Sequence, residues 1–283
     1  MRKYIFLLPL YNDWESLVLL LNKINNEVKS LNKIAEVFIV DDKSSEIAPE
    51  FSSFSNINKI NILHLSENLG SQKAISIGLQ YLRNKNEEML ITILDSDGED
   101  DVTKVPSMIL AAEKDTKKVI VSSRTKRQEI FIFKILYIIH KILIFTFTLK
   151  WISFGNFSSF HSQQLSKILA NDSSWLAFSS SVSKNCEIKK VNAERKKRLI
   201  GVSKLSFFNL VLHSLRVGAV FFSRSVLLSF FYLILLIYLF IMGYGFSIYF
   251  IITIIFYNFF LYLTIFINNQ KKFVNSVNFI EKK

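Results

Sequence analysis

Over the first 123 residues, short apolar runs alternate with longer segments in which apolar side chains recur at helical spacing. The runs Tyr4–Leu8, Val37–Val40, Ile60–Leu65, Met89–Leu94 and Val119–Val121 predict strands, and Glu15–Leu31, Ser71–Leu82 and Val102–Glu113 predict helices between them. Strands alternating with helices fold as a doubly wound, mostly parallel sheet of the α/β class. Met89–Leu94 is apolar throughout, as expected of a strand covered on both faces. No internal repeat or low-complexity linker interrupts the region, so a single α/β domain is expected over residues 1–222.

The pattern changes towards the carboxyl end. Residues 226–242 and 246–267 are uncharged and almost wholly apolar, each near the roughly 20 residues that cross a bilayer as helix. Their link, Gly243-Tyr244-Gly245, carries no charge, whereas Arg216 and Arg224 precede the pair and Lys271, Lys272, Lys282 and Lys283 follow it. Basic flanks favour the cytoplasm, so a transmembrane hairpin is expected over 226–267 in the inner (cytoplasmic) membrane, with both termini and a basic tail, 268–283, on the cytoplasmic side. Residues 130–150 are also strongly apolar but carry Lys134, His140, Lys141 and Lys150. Such lysines suit an interfacial amphipathic helix, its apolar side chains in the acyl boundary and its ammonium groups among headgroups; a third span is the alternative.

Composition adds three points. Half the residues are hydrophobic and 27 are Phe, in keeping with a chain partly in lipid. The net charge of +12 gathers between Lys184 and Lys204 and near the apolar segments without an aromatic-interleaved basic motif, which points to anionic headgroups or phosphates rather than nucleic acid. The single cysteine, Cys186, excludes an intramolecular disulfide and fits a reducing compartment. Arg2-Lys3 and the apolar residues after them resemble a secretory signal, but Pro9 breaks the run and no small-residue cleavage site follows.

The chemistry concentrates where strands end. Leu94-Asp95-Ser96-Asp97-Gly98-Glu99-Asp100 closes a buried strand with carboxylates two apart, at the edge where open α/β sheets bind ligands. Crowded carboxylates call for a hard cation, Mg²⁺ or Mn²⁺, which is usually shared with a substrate's phosphates; an acidic loop capping the next helix is the plainer alternative. The first strand ends in Pro9-Leu10-Tyr11-Asn12-Asp13 and the second in Val40-Asp41-Asp42-Lys43-Ser44-Ser45. A ring such as Tyr11 can lie on a base while Asp13 and Asp42 accept hydrogen bonds from a nucleoside, although Asp42, Ser44 and Ser45 also suit a turn or a helix cap. His140, His161 and His213 stand singly and read as packing or interfacial residues.

The ordered set P-x-Y-N-D, V-D-D-x-S, Asn68-x-Gly70 before Lys73-Ala74 and Gly78, then D-x-D-x-E, resembles the family-2 inverting glycosyltransferases of GT-A fold. With the apolar pair, the chain looks like the polyprenyl-phosphate sugar synthases within them. The resemblance implies nucleotide binding at Pro9, Tyr11, Asn12, Asp13, Asp41, Asp42, Lys73, Asp95 and Ser96, for a UDP- or GDP-sugar donor. It implies Mg²⁺ or Mn²⁺ at Asp95, Asp97 and Glu99, the last at a position where the family usually has Gln. Ser122-Ser123-Arg124-Thr125-Lys126-Arg127 is similar to the family's Gly-Ser-Arg, so Arg124 and Arg127 are expected at phosphate. Arg198-Leu-Ile-Gly201-Val-Ser203-Lys204 reproduces an R-x-x-G-x-S-K element that closes over the donor diphosphate, which gives Arg198, Ser203 and Lys204 the same expectation. Asp97, Arg124 and Arg198 are the implied catalytic residues.

Residues 153–158 depart from the family pattern D-x-G-x-F-R, with Ser153 and Ser158 replacing Asp and Arg. The activity implied is transfer of a sugar to polyprenyl (undecaprenyl) phosphate at the cytoplasmic face of a bilayer. A phosphate acceptor is already ionised near neutral pH and needs little base catalysis. Two alternatives stand beside it. One is transfer to a hydroxyl of a lipid-linked glycan or polysaccharide, with Asp172 in Asn171-Asp172-Ser173-Ser174 as a base if it is not a turn residue. The other is a non-catalytic nucleotide-binding scaffold. UDP versus GDP, the sugar and the oligomeric state are left open, with a homo-oligomer among the partners considered.

Overall fold

The structure, a computed structural model, describes residues 2–124, 131–201, 207–268 and 273–281, without the side chains of residues 124, 131–137 and 207–209. Its elements in chain order are β1 (Lys3–Leu10), α1 (Trp14–Ser30), β2 (Ala35–Asp41), β3 (Ile57–His64), α2 (Ser71–Asn84), β4 (Met89–Ile93), α3 (Val105–Lys114), β5 (Lys118–Arg124), α4 (Phe131–Thr148), β6 (Phe154–His161), α5 (Leu165–Ile168), α6 (Ser173–Leu176), α7 (Phe178–Asn185), β7 (Glu187–Ala193), α8 (Phe207–Val220), α9 (Phe222–Ile241) and α10 (Ser247–Ile267). They fall into two compact units. The first comprises Met1–Gln128, Ser153–Lys204 and Lys271–Lys283, and the second Glu129–Ile152 and Leu205–Gln270.

The first unit is built on one sheet in the order β3-β2-β1-β4-β6-β5-β7. β3, β2, β1 and β4 are mutually parallel, as the alternating pattern predicts, and β7 is parallel to β5. β6 runs antiparallel between β4 and β5. Neither β6 nor β7 shows a strand pattern in the sequence. β6 carries Ser158 and Ser159 into the buried sheet, where the Ser159 hydroxyl shares a 2.8 Å hydrogen bond with Thr92 Oγ1 of β4. That pairing offsets the cost of burying a hydroxyl, and nothing local to the sequence announces it. β7 is an edge strand whose exposed Lys189 and Lys190 discourage pairing with another chain.

The period-two alternation of β1 sorts its side chains between two layers. Phe6, Leu8 and Leu10 join Leu17, Leu20, Leu21 and Ile24 of α1 and Met108 and Ile109 of α3 in one fully buried cluster. Leu7 points to the other face, against α2. There a Cβ on Gly78 would lie 2.6 Å from Leu7 Cδ1 and 2.9 Å from Val40 Cγ2, so α2 reaches the sheet this closely only with glycine at that position. The helix predicted from Val102 opens as a single 3-10 turn, Val102–Lys104, before α3 begins with Pro106 in its first turn.

The tail beyond the second apolar helix is paired with the sheet domain. Ile280 forms an antiparallel bridge with Leu65, Ser66 N donates to Phe279 O at 2.8 Å, and Glu281 N donates to His64 O at 2.9 Å. Lys43 Nζ meets Glu281 at 3.2 Å, and Phe273 packs edge-on against Trp175 with ring centres 5.8 Å apart.

In the second unit α9 and α10 have mean hydropathies of 2.2 and 2.3 and are long and apolar enough to cross a membrane. They overlap the predicted segments 226–242 and 246–267 almost completely, and only about a tenth of each is buried within the protein. α8, inside the predicted first domain, clusters with this pair. Within the unit Arg224 donates to Thr148 O at 2.9 Å and Tyr232 to Thr146 O at 2.8 Å, tying α9 to the end of α4.

Candidate active site

The carboxyl ends of β1, β2 and β4 lie side by side because the three strands are parallel neighbours, so the loops after Leu10, Asp41 and Ile93 open onto one edge of the sheet. They enclose a cleft of about 230 Å³ lined by Pro9, Leu10, Tyr11, Asp13, Asp42, Ser71, Asp95, Ser96, Asp97 and Arg198. Seven of the sequence-derived candidates are therefore neighbours around one cavity with Arg198, although Arg198 is more than a hundred residues from the D-x-D run. Leu10 and Ser71, which no motif singled out, join them. Tyr11 remains 47% exposed and offers a free ring face.

Three expected nucleotide contacts have other partners. Asp41 accepts from Ser44 N at 3.0 Å and shares a 2.9 Å hydrogen bond with His64 Nδ1, so both its oxygens shape the loop and neither lines the cleft. Asn12, held at a positive φ of 47°, donates its N–H to Ser44 Oγ at 2.9 Å and accepts from Ser45 N on Oδ1 at 2.9 Å. It staples the first loop to the second. Lys73 Nζ sits over the Trp175 ring, 5.1 Å from its centre. Asp42 does line the cleft, and its carboxylate also receives Leu69 N and Gly70 N, both at 2.7 Å. The turn and nucleoside readings of Asp42 are thus compatible. Burial pushes its carboxyl above the ordinary range, against the pull of those two donors.

The acidic loop turns at a glycine that also lets a neighbouring segment pack close. Gly98 has φ +74°, and a Cβ there would lie 2.4 Å from Leu199 Cδ1. The segment 195–199 runs along this loop, with Lys196 N donating to Glu99 O at 2.8 Å and Leu199 N to Asp97 O at 3.0 Å. Arg195 Nε donates to Glu99 Oε2 at 2.8 Å, and the guanidinium closes a second contact with the same oxygen. Glu99, expected as a metal ligand, is here the salt-bridge partner of Arg195. Among the described residues no three His, Cys, Asp or Glu side chains are gathered for a metal.

Asp95 and Asp97 are the D-x-D carboxylates that line the cleft. Burial, and then the negative charge of Asp95, push the Asp97 carboxyl up to about 6. Arg198 works the other way, with Nη1 3.8 Å from Asp97 and Nη2 2.5 Å from Asp13. Two carboxylates in one cleft, one of them reluctant to ionise, fit a hard divalent ion with diphosphate oxygens completing its shell. Arg124 ends β5 with its backbone registered against Ala193, and its side chain lies outside the described residues, as do Arg127, Ser203 and Lys204. Asn171 and Asp172 both have positive φ, near 52° and 54°, in the turn before α6, and Asp172 does not line the cleft. Burial raises its carboxyl, but its position is that of a turn residue.

A positioning chain absent from the motifs reaches Asp95 from β6. Asn156 Nδ2 donates to Asp95 Oδ1 at 2.9 Å, Gln72 Nε2 donates to Asn156 Oδ1 at 3.2 Å, and Phe178 N donates to Gln72 Oε1 at 2.8 Å. Each amide is oriented by the next, and the last of them aims the Asp95 carboxylate. Asn156→Ala is expected to weaken divalent-ion dependence about tenfold in a transfer assay, and Asn156→Asp to weaken it further by setting like charge against Asp95. Unchanged ion dependence in both variants would remove Asn156 from the site. A strand pattern in 154–161 would have been the signal for it; with β6 unread, none was available.

Comparison with known proteins agrees with this geometry. The model of glycosyl transferase family 2 matches residues 6–180. Glucosyl-3-phosphoglycerate synthase from Mycobacterium tuberculosis with Mn²⁺ and UDP-glucose superposes with a TM-score of 0.54 at 13% identity, covering 79% of this chain and 79% of that one. The same protein with Mn²⁺, UDP and glucosyl-3-phosphoglycerate gives 0.53 at 13% identity, over 79% and 80%. S. aureus TarS 1-349 with UDP-GlcNAc gives 0.46 at 16% identity, over 78% and 66%. The mixed seven-stranded sheet is thus GT-A-like, as the motif order implied. Because the family match takes in more than half of the chain, including every loop of the cleft except that of Arg198, this protein belongs to glycosyl transferase family 2.

Proposed function

We propose that the protein is a membrane-anchored, inverting glycosyltransferase that moves a sugar from a UDP- or GDP-sugar to polyprenyl phosphate at the cytoplasmic membrane face. The observation that carries this reading is the presence in one chain of an acidic nucleotide-sugar cleft and of two helices long and apolar enough to span a bilayer. An enzyme acting on a soluble acceptor gains nothing from such helices, whereas a lipid acceptor has to be met at the membrane. α4 supports the same reading, because Ile138, Ile139, Ile142 and Leu143 are exposed on it and suit the acyl boundary of an interfacial helix. Mn²⁺ with UDP-glucose in the mycobacterial synthase supports a divalent ion and a uridine donor here.

In this mechanism Tyr11 lies on the base while Asp13 and Asp42 accept from the nucleoside. A Mg²⁺ or Mn²⁺ ion at Asp95 and Asp97 would supply positive charge to the donor diphosphate. Arg198 leaves Asp13 for the same diphosphate and stabilises the charge that gathers on it as the anomeric carbon–oxygen bond breaks. An oxygen of the acceptor phosphate, already ionised, attacks from the opposite face, forms the new bond to the anomeric carbon and inverts it. The nucleoside diphosphate leaves with the bonding electron pair, and no proton has to move. Asp172 outside the cleft argues against the base that a hydroxyl acceptor would need.

The test uses the full chain in detergent with Mn²⁺ or Mg²⁺, undecaprenyl phosphate and radiolabelled UDP- and GDP-sugars, and counts label passing into the organic phase. Ion-dependent lipid label from one donor is the expected result. Donor binding without lipid label under every combination would overturn the lipid-phosphate acceptor.

A further inference from the structure

β3 is an edge strand, so the outer side of its backbone has no neighbour within the sheet. Where it ends, the segment 279–281 supplies one. His64 O accepts from Glu281 N at 2.9 Å and Ser66 N donates to Phe279 O at 2.8 Å, on either side of the antiparallel bridge between Leu65 and Ile280. Between them Leu65 N turns inward and donates to Asp41 O at 2.8 Å. The stretch 64–66 is thus clamped between β2 and the tail, its backbone groups alternating inward and outward as in a strand.

The clamped stretch leads into the cleft from both sides. Asp41, which shares a 2.9 Å hydrogen bond with His64 Nδ1, precedes Asp42 of the cleft lining. Beyond Ser66, Leu69 N and Gly70 N hold the Asp42 carboxylate at 2.7 Å each, and Ser71, the first residue of α2, lines the cleft as well. The tail grips this region twice more. Glu281 meets Lys43, the residue after Asp42, at 3.2 Å. Phe273 is buried edge-on against Trp175, and the 3-10 turn Ser276–Phe279 packs on α2. The Lys43–Glu281 pair is 53% and 42% exposed, so it contributes little, and the two backbone hydrogen bonds and the buried Phe273 ring dominate. None of residues 273–281 lines the cleft, so the tail acts on a ligand only through the loops it holds.

We infer that residues 273–281 are a positioning strap for the nucleoside side of the cleft, fixing the segment 64–70 and through it the carboxylate of Asp42. Residues 66–70 have no regular structure of their own. Ordering such a loop costs conformational entropy, which a nucleotide would otherwise have to offset on binding. The strap orders the loop in advance. The diphosphate side of the cleft, with Asp95, Asp97 and Arg198, is not held by it, so the strap favours the nucleoside selectively. The inference rests on the reading of the cleft as a nucleotide-sugar site and is independent of the acceptor.

Glu281→Pro tests it with little other disturbance. Ile280 has φ −76° and ψ 122°, which a following proline accepts, so the substitution removes the N–H bonded to His64 O and the carboxylate. Glu281→Gln removes only the charge and serves as the control. The full chain in detergent is titrated calorimetrically with UDP, GDP or inorganic pyrophosphate, each with Mn²⁺, and amide exchange over 64–70 is followed without ligand. Glu281→Pro is expected to bind the preferred nucleotide about fivefold more weakly and pyrophosphate as the wild type does, with faster exchange over 64–70. Glu281→Gln should change nucleotide binding less than about twofold. Phe273→Ala should repeat the pattern of the proline variant, and if thermal unfolding shows that one of the two fails to fold, the other carries the test. Unchanged nucleotide affinity in both, or nucleotide and pyrophosphate weakened together as general loosening would give, would overturn the strap. A wild type that binds pyrophosphate but neither UDP nor GDP would overturn the nucleotide reading and the inference with it, a failure visible before any variant is made.

Discussion

Asp97→Asn is expected to lower sugar transfer by at least about a hundredfold while leaving the protein as stable as wild type or more so. The two effects have one cause. Burial and the neighbouring Asp95 hold the Asp97 carboxyl up at about 6, so at neutral pH the folded chain bears a charge it disfavours relative to the unfolded one. The amide keeps the shape and can still accept the 3.0 Å hydrogen bond from Glu99 N, but it carries no charge to desolvate or to offer a cation. A gain on the order of 1–2 kcal/mol follows at pH 7, after allowance for the lost attraction to Arg198. The sign is specific. A raised carboxyl makes wild-type stability increase as pH falls from about 6 towards 4, where the folded state binds the proton first, and the variant should lack that increment. Urea titrations of both proteins across that range measure the difference. A variant that loses activity by unfolding would contradict the account.

The same group sets the acid limb of activity. At limiting Mn²⁺ the rate should fall as pH drops through about 6, because proton and cation compete for Asp97. Raising the ion concentration should move that limb to lower pH.

Arg198→Ala is expected to lower kcat/KM about a hundredfold and to move the acid limb upward. Arg198 meets Asp13 at 2.5 Å and Asp97 at 3.8 Å, and its charge opposes the rise of the Asp97 carboxyl before any donor arrives. Without it Asp97 loses an attractive neighbour and its carboxyl rises further above 6. The departing diphosphate loses a charge-assisted donor as well. Arg198→Lys should restore the position of the limb more fully than the rate, because an ammonium supplies charge but not the planar fork. Initial rates over pH for the three proteins separate these effects. An unshifted limb in the alanine variant would show that Arg198 does not govern Asp97.

What could be read from the sequence, and what could not, divides along the range of the contacts. β1 to β5, α1 to α3 and the two long apolar helices announce themselves by periodicity, and the D-x-D run by its place after a buried strand. β6 does not, because its buried Ser158 and Ser159 read as polar; Ser158 donates to the carbonyl of Asn156 in its own strand, and Ser159 pairs with Thr92 of β4, 67 positions away. Its loss hid Asn156, and with it the hydrogen bond that aims Asp95. The cation beside Glu99, Arg195, is 96 positions away and equally out of local reach. Asp41 illustrates the same limit, since only the parallel pairing of β2 with β3 brings His64 within 2.9 Å. The return of Ile280 to Leu65 and the meeting of His140 with Ser214 likewise depend on chain paths that no local pattern encodes.

The most direct measurement of the central claim is the mass of the lipid product formed from polyprenyl phosphate and the productive nucleotide sugar. The account predicts a species heavier than the acceptor by one sugar residue and still carrying a single phosphate, with the anomeric configuration opposite to that of the donor. A lipid-linked glycan extended at a hydroxyl, or polyprenyl phosphate recovered unchanged while the donor is consumed, would contradict it.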